Sequence, residues 1–173
     1  IRGLFSDFIV DNSKLGITVA DRNKVFADVI IAVRDMKLSQ DFQNNKNDTF
    51  GDTYEFLMSM YAANAGKSGG EFFTPQEVSE ILVRLATYNN DKIDSVYDPA
   101  CGSGSLLMKF QKIIGKKNPN LKYFGQEINP TTYNLCRINM FLHNVNYDHF
   151  DIQQGDTLKN PRHTDEEPFD AIV

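Results

Sequence analysis

The chain has 173 residues, 41% hydrophobic and 24% charged, with a formal net charge of −5 at pH 7. That length and apolar content suit one compact domain, or one domain with a smaller appendage. The acidic balance, a pI of about 5.1, argues against a free-standing, nonspecific nucleic-acid binder, which would display a basic excess, while leaving open DNA binding with help from a partner.

Residues 1 to 66 read as helical. Asp21 is placed to cap a helix whose apolar positions are Val25, Phe26, Val29, Ile30, Val33 and Met36. After the polar stretch SQDFQNNKND, a second amphipathic helix carries Phe50, Tyr54, Leu57, Met58 and Tyr61. GKSGG then reads as a flexible joint. This predicts a helical part over residues 1–68 and a second part over 69–173. Thr74-Pro75-Gln76-Glu77 has the form of a capping box, with threonine at N-cap and glutamate at N3. It opens a helix whose apolar positions are Val78, Ile81, Leu82 and Leu85.

From there strand and helix alternate. Residues 93–97 read as a strand, 104–116 as a helix with Leu106, Leu107, Phe110, Ile113 and Ile114, and 121–126 as the next strand. Asn129-Pro130 starts a helix through Leu135, Ile138 and Phe141, and FDIQQ and FDAIV are two further strands. The alternation implies an α/β fold with a parallel sheet and right-handed crossovers. Ligands in such sheets sit at the carboxyl ends of the strands.

Three acids fall at those ends: Asp98, Glu127 and, in GDTL, Asp156. Beside the first lies a glycine turn in which Gly102 and Gly104 let backbone approach a ligand closely. Glu127, 23 residues after Gly104, is where a dinucleotide fold keeps its ribose-binding acid. The third glycine of that fingerprint is absent, Leu107 standing in its place, and no lysine or arginine lies between 98 and 108. A pyrophosphate would meet Asp98 and Asp156 with no counter-charge. A ligand carrying an ammonium, a ribose and an adenine fits the acids better: Asp98 for the ammonium, Glu127 for the ribose hydroxyls, Asp156 for the adenine amino group. S-adenosylmethionine has these parts and no phosphate. Taken singly, Asp98 and Asp156 read as helix caps or turn acids; at successive strand ends they read together.

EFFTP (71–75), DPACGSGSLL (98–107), GQEIN (125–129) and GDTL (155–158), in this order, resemble the modification subunit of type I restriction-modification systems, which are adenine-specific DNA methyltransferases. The resemblance runs the length of the chain, helical N-terminal part included. It implies a Rossmann-like, class I S-adenosylmethionine-dependent methyltransferase sheet. It also implies that Glu71, Phe72, Phe73, Thr74 and Pro75, with Gln76 next, close over the methionine end of the cofactor, Thr74 as a polar contact. By the same resemblance Ser103, Gly104 and Ser105 line the cofactor and Ile128 packs on the adenine ring, although a buried core isoleucine explains Ile128 as well. DNA, a DNA-specificity subunit and an endonuclease subunit are the partners implied.

One departure matters. Such enzymes carry an Asn-Pro-Pro-aromatic motif after the fourth strand, which bonds the target amino group and stacks on the flipped base. Asn129-Pro130-Thr131-Thr132 and Asn160-Pro161-Arg162-His163 lack its second proline and its aromatic. Ile1 in place of methionine and the terminal FDAIV predict a chain cut from something longer, so no catalytic residue is expected before Val173. Two other readings stay open: a methyltransferase of RNA or protein, and a nucleotide-binding module without chemistry.

The remaining signals are weak. Cys101 and Cys136 make neither a disulfide framework nor a metal cluster and predict small buried residues in a reducing, cytoplasmic compartment. His143, His149 and His163 have no metal-ligand spacing and predict surface or capping roles. Gly66-Lys67-Ser68 resembles a phosphate-loop tail, but Tyr61 stands where that loop needs glycine. No stretch approaches the roughly 18 apolar residues of a membrane span, and no secretory signal is recognised.

Overall fold

The computed structural model describes residues 9–35, 49–64, 74–90, 92–115, 117–166 and 168–173. The chain divides into two compact units, Ile1–Asn47 and Asp48–Val173. This division falls ahead of the joint expected near residue 68; residues 65–73 lie outside the described ones.

In the first unit a short turn, Ser13–Leu15, leads into α1 (Val19–Asp35). Asp21 does not cap this helix. Thr18 does: its hydroxyl accepts from the Asp21 N–H at 3.1 Å, and Asp21 Oδ2 accepts from the Thr18 N–H at 3.1 Å. The two residues satisfy each other's backbone, Asp21 filling the place usually held by glutamate. The stripe Val25, Val29, Ile30 and Val33 is exposed, and no described residue of α1 is buried.

The second unit contains α2 (Thr49–Asn64), α3 (Gln76–Ala86), β1 (Ser95–Asp98), α4 (Ser105–Phe110), β2 (Lys122–Glu127), α5 (Pro130–Leu142), β3 (Phe150–Gln154) and β4 (Ala171–Ile172). The strands form a parallel sheet in the order β3-β2-β1-β4. Since β2 and β4 flank β1, the order reverses at β1, where an open α/β sheet leaves a crevice at its carboxyl edge. β4 is shorter than the expected FDAIV: Ala171 and Ile172 form the strand, and the Val173 N–H still donates to the Tyr97 carbonyl at 3.0 Å. Among the described residues no helix lies between β3 and β4.

α4 and α5 lie on one face of the sheet. Leu106, Leu107, Met108 and Phe110 from α4, and Cys136 and Met140 from α5, form a core with Val96, Tyr123 and Ile152. Burial almost all round explains why α4 is apolar without a polar face. It continues as a π-helical turn over Gln111–Gly115, where the Gln111 amide oxygen accepts from the Tyr123 hydroxyl. The opposite face carries Tyr97 and Phe124, neighbours in register, under Phe169 and His163. His163 is therefore neither on the surface nor at a cap. It is buried, its Nε2 lies 3.0 Å from the Gly125 carbonyl, and its ring meets Tyr97 and Phe124 edge-on. His143 does take the C-cap position of α5 and is buried there.

Two further expectations fail at α3. Pro75, not Thr74, takes the N-cap position, with no side-chain capping bond. The buried face is Ser79, Val83 and half-buried Ala86, while Ile81 and Leu85 are 59% and 67% exposed. The small residues let α3 lie close against α4, so the larger ones point outward. α2 belongs with this unit. Its Tyr54 hydroxyl donates to the Leu135 carbonyl of α5 at 3.0 Å, and Asp52 and Glu55 receive Lys112 at 2.8 and 2.9 Å.

Candidate functional site

β1 ends at Asp98 and β2 at Glu127, each strand's last residue, and the two strands are hydrogen-bonded neighbours. Between β1 and α4 the chain makes a tight turn, Gly102 at φ 53° and Gly104 at φ 80°. Both angles lie in the left-handed region, which glycine adopts without steric cost. At Gly104 space adds a second reason: a Cβ there would stand 2.7 Å from Cys136 Sγ. The turn's backbone is tied on several sides. The Gly104 N–H donates to the Cys101 carbonyl at 2.8 Å, the Cys101 N–H to the Gln126 carbonyl at 3.0 Å, and the Gly102 N–H to Glu127 Oε2 at 3.0 Å. Glu127 Oε1 accepts from the Asn129 N–H at 2.7 Å. Each carboxylate oxygen keeps a second lone pair for another donor.

The third strand end joins the same place. The Gly155 N–H donates to the Glu127 carbonyl at 2.9 Å, and the Thr157 hydroxyl donates to the Pro99 carbonyl at 2.6 Å. Asp156 lies between those ties. Its Oδ1 accepts from the Leu158 N–H, closing its own turn, and its Oδ2 pairs with Lys159 at 3.1 Å. The hydrogen bond from Lys159 holds its carboxyl below the usual aspartate value.

Asp98 behaves in the opposite way. It is buried, its Oδ1 accepting from the Ala100 N–H at 3.0 Å. Desolvation pushes its carboxyl up to about 6, the Ala100 bond opposes the rise, and the charge of Glu127 adds to it. A carboxylate whose charge is penalised by burial at a strand end gains from a cationic ligand. Beneath it, Cys101 and Cys136 are buried, free thiols. A thiol–thiol hydrogen bond, then burial, raise Cys101 well above the ordinary cysteine value, which disfavours a nucleophilic role.

Of the sequence-predicted site residues, Asp98, Gly102, Ser103, Gly104, Ser105 and Glu127 come together at this turn. Ser103 and Ser105 are themselves buried. Ile128 is 62% exposed, which removes the core explanation for it. Thr74, Pro75 and Gln76 lie at the start of α3, and Gln76 Nε2 is buried without a hydrogen-bond partner among the described residues. Glu71, Phe72 and Phe73 lie outside the described residues. Among the described residues, no group of His, Cys, Asp or Glu side chains could hold a metal ion.

Three residues of this neighbourhood escape sequence reasoning. Thr157 was read only as part of GDTL, yet it ties the third strand end to the first. Gln126, buried one residue before the end of β2, donates through Nε2 to the Asn160 carbonyl at 3.0 Å and accepts from the Arg162 N–H at 3.0 Å, pinning the β3–β4 connection. Asn139 reaches the turn from α5, its Nδ2 donating to the Ser103 carbonyl at 3.0 Å. A glutamine inside an apolar strand and an asparagine on an apolar helix face are the signals that mark the last two.

A family model for N-6 DNA methylases matches residues 45–173. The chain belongs to the N-6 DNA methylase family. The chain is 54% identical over 158 residues to the type I restriction enzyme MpnII methylase subunit of Mycoplasma pneumoniae, covering 91% of the chain and 29% of that protein. To the MjaVIII methylase subunit of Methanocaldococcus jannaschii it is 38% identical over 122 residues, 70% of the chain and 20% of that protein. Among solved structures, the methyltransferase subunit of a type I restriction-modification system from Streptococcus thermophilus superposes with a TM-score of 0.83 at 33% identity, over 99% of this chain and 36% of that one. A Listeria monocytogenes chain described as a class I S-adenosylmethionine-dependent methyltransferase gives a TM-score of 0.52 at 16% identity over 72% of this chain and 40% of that one, a likeness of fold alone. The chain thus has the α/β sheet of that class and spans less than a third of the length of the first two relatives.

Proposed function

We propose that this chain carries the S-adenosylmethionine-binding part of an adenine-specific DNA methyltransferase, the modification subunit of a type I restriction-modification system. The observation that carries the reading is the joining of the glycine turn to two strand-end acids: Gly102 N–H on Glu127 Oε2 at 3.0 Å, with Asp98 buried beside them. No cation stands in residues 98–108 to meet a phosphate. An acid-lined cradle with no base in its turn, its nearby Lys159 already paired with Asp156, suits a positively charged, phosphate-free ligand.

In this reading Asp98 accepts the ammonium of the methionine part, Glu127 the ribose hydroxyls and Asp156 the adenine amino group, with Ile128 on the adenine face. Thr74, Pro75 and Gln76, together with Glu71, Phe72 and Phe73 before them, close over the methionine end. Residues 69–173 form the donor-binding part and residues 1–68 a helical part, whose α2 packs on α5 through Tyr54 and on the turn after α4 through Asp52 and Lys112. When bound, the cofactor supplies a sulfonium methyl open to direct displacement by an exocyclic amine. What this chain's residues contribute is orientation of that donor, which converts an encounter into a positioned approach.

The acceptor side lies elsewhere. The chain has no Asn-Pro-Pro-aromatic run in its 173 residues, so the target adenine, flipped from the duplex, would be held by residues other than these. DNA, a specificity subunit that reads the site and an endonuclease subunit are the partners of the whole assembly. The test is calorimetry with S-adenosylmethionine, NAD and ATP, paired with transfer of labelled methyl to DNA. The reading requires the sulfonium cofactor or its demethylated product to bind, and residues 1–173 alone to leave DNA unlabelled.

A further inference from the structure

Beneath the glycine turn, one polar side chain reaches up from α5. Asn139 is 1% exposed, and its Nδ2 donates to the Ser103 carbonyl at 3.0 Å. Its neighbours on α5, Cys136 and Met140, are apolar and fully buried. They are also the groups that a Cβ on Gly104 would meet, at 2.7 Å from Cys136 Sγ and 3.6 Å from Met140 Cε. The helix therefore lies flush under the turn, fitted by shape at Gly104 and by a hydrogen bond at Ser103.

Asn139 is a poor choice for stability alone. Its Oδ1 is buried with no hydrogen-bond partner among the described residues. A buried, half-satisfied amide costs more than an apolar side chain of similar volume at the same place. What leucine or methionine cannot supply there is a donor for the Ser103 carbonyl.

That donor controls one peptide group. The Ser103–Gly104 peptide has its carbonyl held by Asn139 and its N–H held by the Cys101 carbonyl at 2.8 Å. It runs from Ser103 into Gly104 at φ 80°, a residue for which other backbone orientations are readily accessible. With both ends held, the peptide has a single orientation. With its carbonyl released, the turn populates several, and ligand affinity falls by the fraction that remains competent.

We propose that Asn139 is a positioning residue of the donor site, fixing the Ser103–Gly104 peptide in the orientation that receives the ligand. This rests on the S-adenosylmethionine reading of the site and adds to it a residue that acts from beneath the turn.

The experiment measures S-adenosylmethionine binding by calorimetry, with thermal melting alongside, for the full-length protein and for Asn139→Ala, Asn139→Asp and Val145→Ala. Val145→Ala is a core truncation beyond the end of α5 and controls for lost stability. Asn139→Ala weakens binding by at least roughly tenfold, while Val145→Ala, at a comparable loss of melting temperature, binds as wild type. In Asn139→Asp the introduced acid can donate to the Ser103 carbonyl only when protonated. Its affinity relative to wild type at the same pH therefore recovers as pH falls; the ratio removes whatever Asp98 protonation does to both proteins. A folded Asn139→Ala that binds within about twofold of wild type overturns the proposal. So does a loss matched by Val145→Ala, or a ratio for Asn139→Asp that is flat with pH. Where Asn139→Ala does not fold, the pH series of Asn139→Asp decides alone; failure of both to fold shows a role in the fold instead and overturns the proposal too. A wild-type protein that binds no S-adenosylmethionine sinks the site reading itself, a result distinguishable from all of these.

Discussion

The backbone N–H of Gly102 donates to the Glu127 side chain at 3.0 Å, so the turn after β1 is tied to the last residue of β2. The same carboxylate accepts from Asn129 at the start of α5. One side chain thus holds the turn, the strand end and the next helix in register, and it retains capacity to accept from a ligand.

Glu127→Ala removes those bonds together with the acceptor proposed for the ligand. Hydrogen bonds to a charged group are worth about 1.5–3 kcal/mol, so S-adenosylmethionine affinity falls by roughly ten- to a hundredfold. Glu127→Gln keeps the shape and loses less. Calorimetry on both variants separates these outcomes; unchanged affinity in Glu127→Ala would remove Glu127 from the site.

Gly104→Ala is expected to destabilise by about 2–4 kcal/mol, combining a left-handed φ with a crowded Cβ. The crowding atom is Cys136 Sγ, at 2.7 Å from the added carbon. Cys136→Ala in the same protein relieves the overlap but leaves the backbone strain, so the double variant is more stable than the sum of the two single changes. Chemical denaturation of the four proteins measures the coupling, and simple additivity would contradict the packing described.

Asp98 gives a pH dependence with a defined sign. Its folded value, about 6, lies above the ordinary 3.8. Its contribution to stability is therefore fully present below about 3.8 and lost as pH rises through about 6, the ionised form being worth roughly 2–3 kcal/mol less than the neutral one when folded. Asp98→Asn removes that burden, so its melting temperature exceeds wild type near pH 8 and the advantage shrinks toward pH 4. Ligand binding runs the other way. Wild-type affinity for S-adenosylmethionine rises with pH through about 6 as the carboxylate forms, and Asp98→Asn binds weakly without that rise. Melting and binding curves that move together in the variant would contradict this assignment.

Tyr54→Phe deletes the hydroxyl that donates to the Leu135 carbonyl at 3.0 Å. A loss of about 0.5–1.5 kcal/mol is expected, with α2 exchanging its amide hydrogens faster than α4 or β1. Unchanged exchange in α2 would show that this bond does not anchor the helix.

The sheet was legible in the sequence because its signals are local. Val96, Tyr97, Tyr123 and Phe124 are β-branched or aromatic residues in short runs, ended by Asp98 and Glu127 and followed by turn or capping residues. Asn129-Pro130 marked the start of α5, where Asn129 Oδ1 does accept from Thr131 and Thr132. The glycine turn stood out because few other residues tolerate φ near 53° and 80°. α3 misled because its hydrophobic stripe is real but faces away; contact with α4 favoured the small face of Ser79 and Val83. What stayed hidden were bonds from a side chain to distant backbone. Thr157 reaches Pro99, Asn139 reaches Ser103 and Tyr54 reaches Leu135, and no local pattern encodes the partner in any of these. Asp170 belongs with them: its Oδ2 accepts from the N–H groups of Asp94 and Ser95 at 2.8 and 2.9 Å, setting the start of β1 from the far end of the chain.

The most direct measurement is competitive calorimetry of the wild-type protein with S-adenosylmethionine, its demethylated product, NAD and ATP. An acid-lined cradle whose glycine turn carries no lysine or arginine, and whose Lys159 is already paired with Asp156, predicts binding of the first two and rejection of the phosphate-bearing pair. Tighter binding of NAD or ATP than of either sulfur ligand would contradict it.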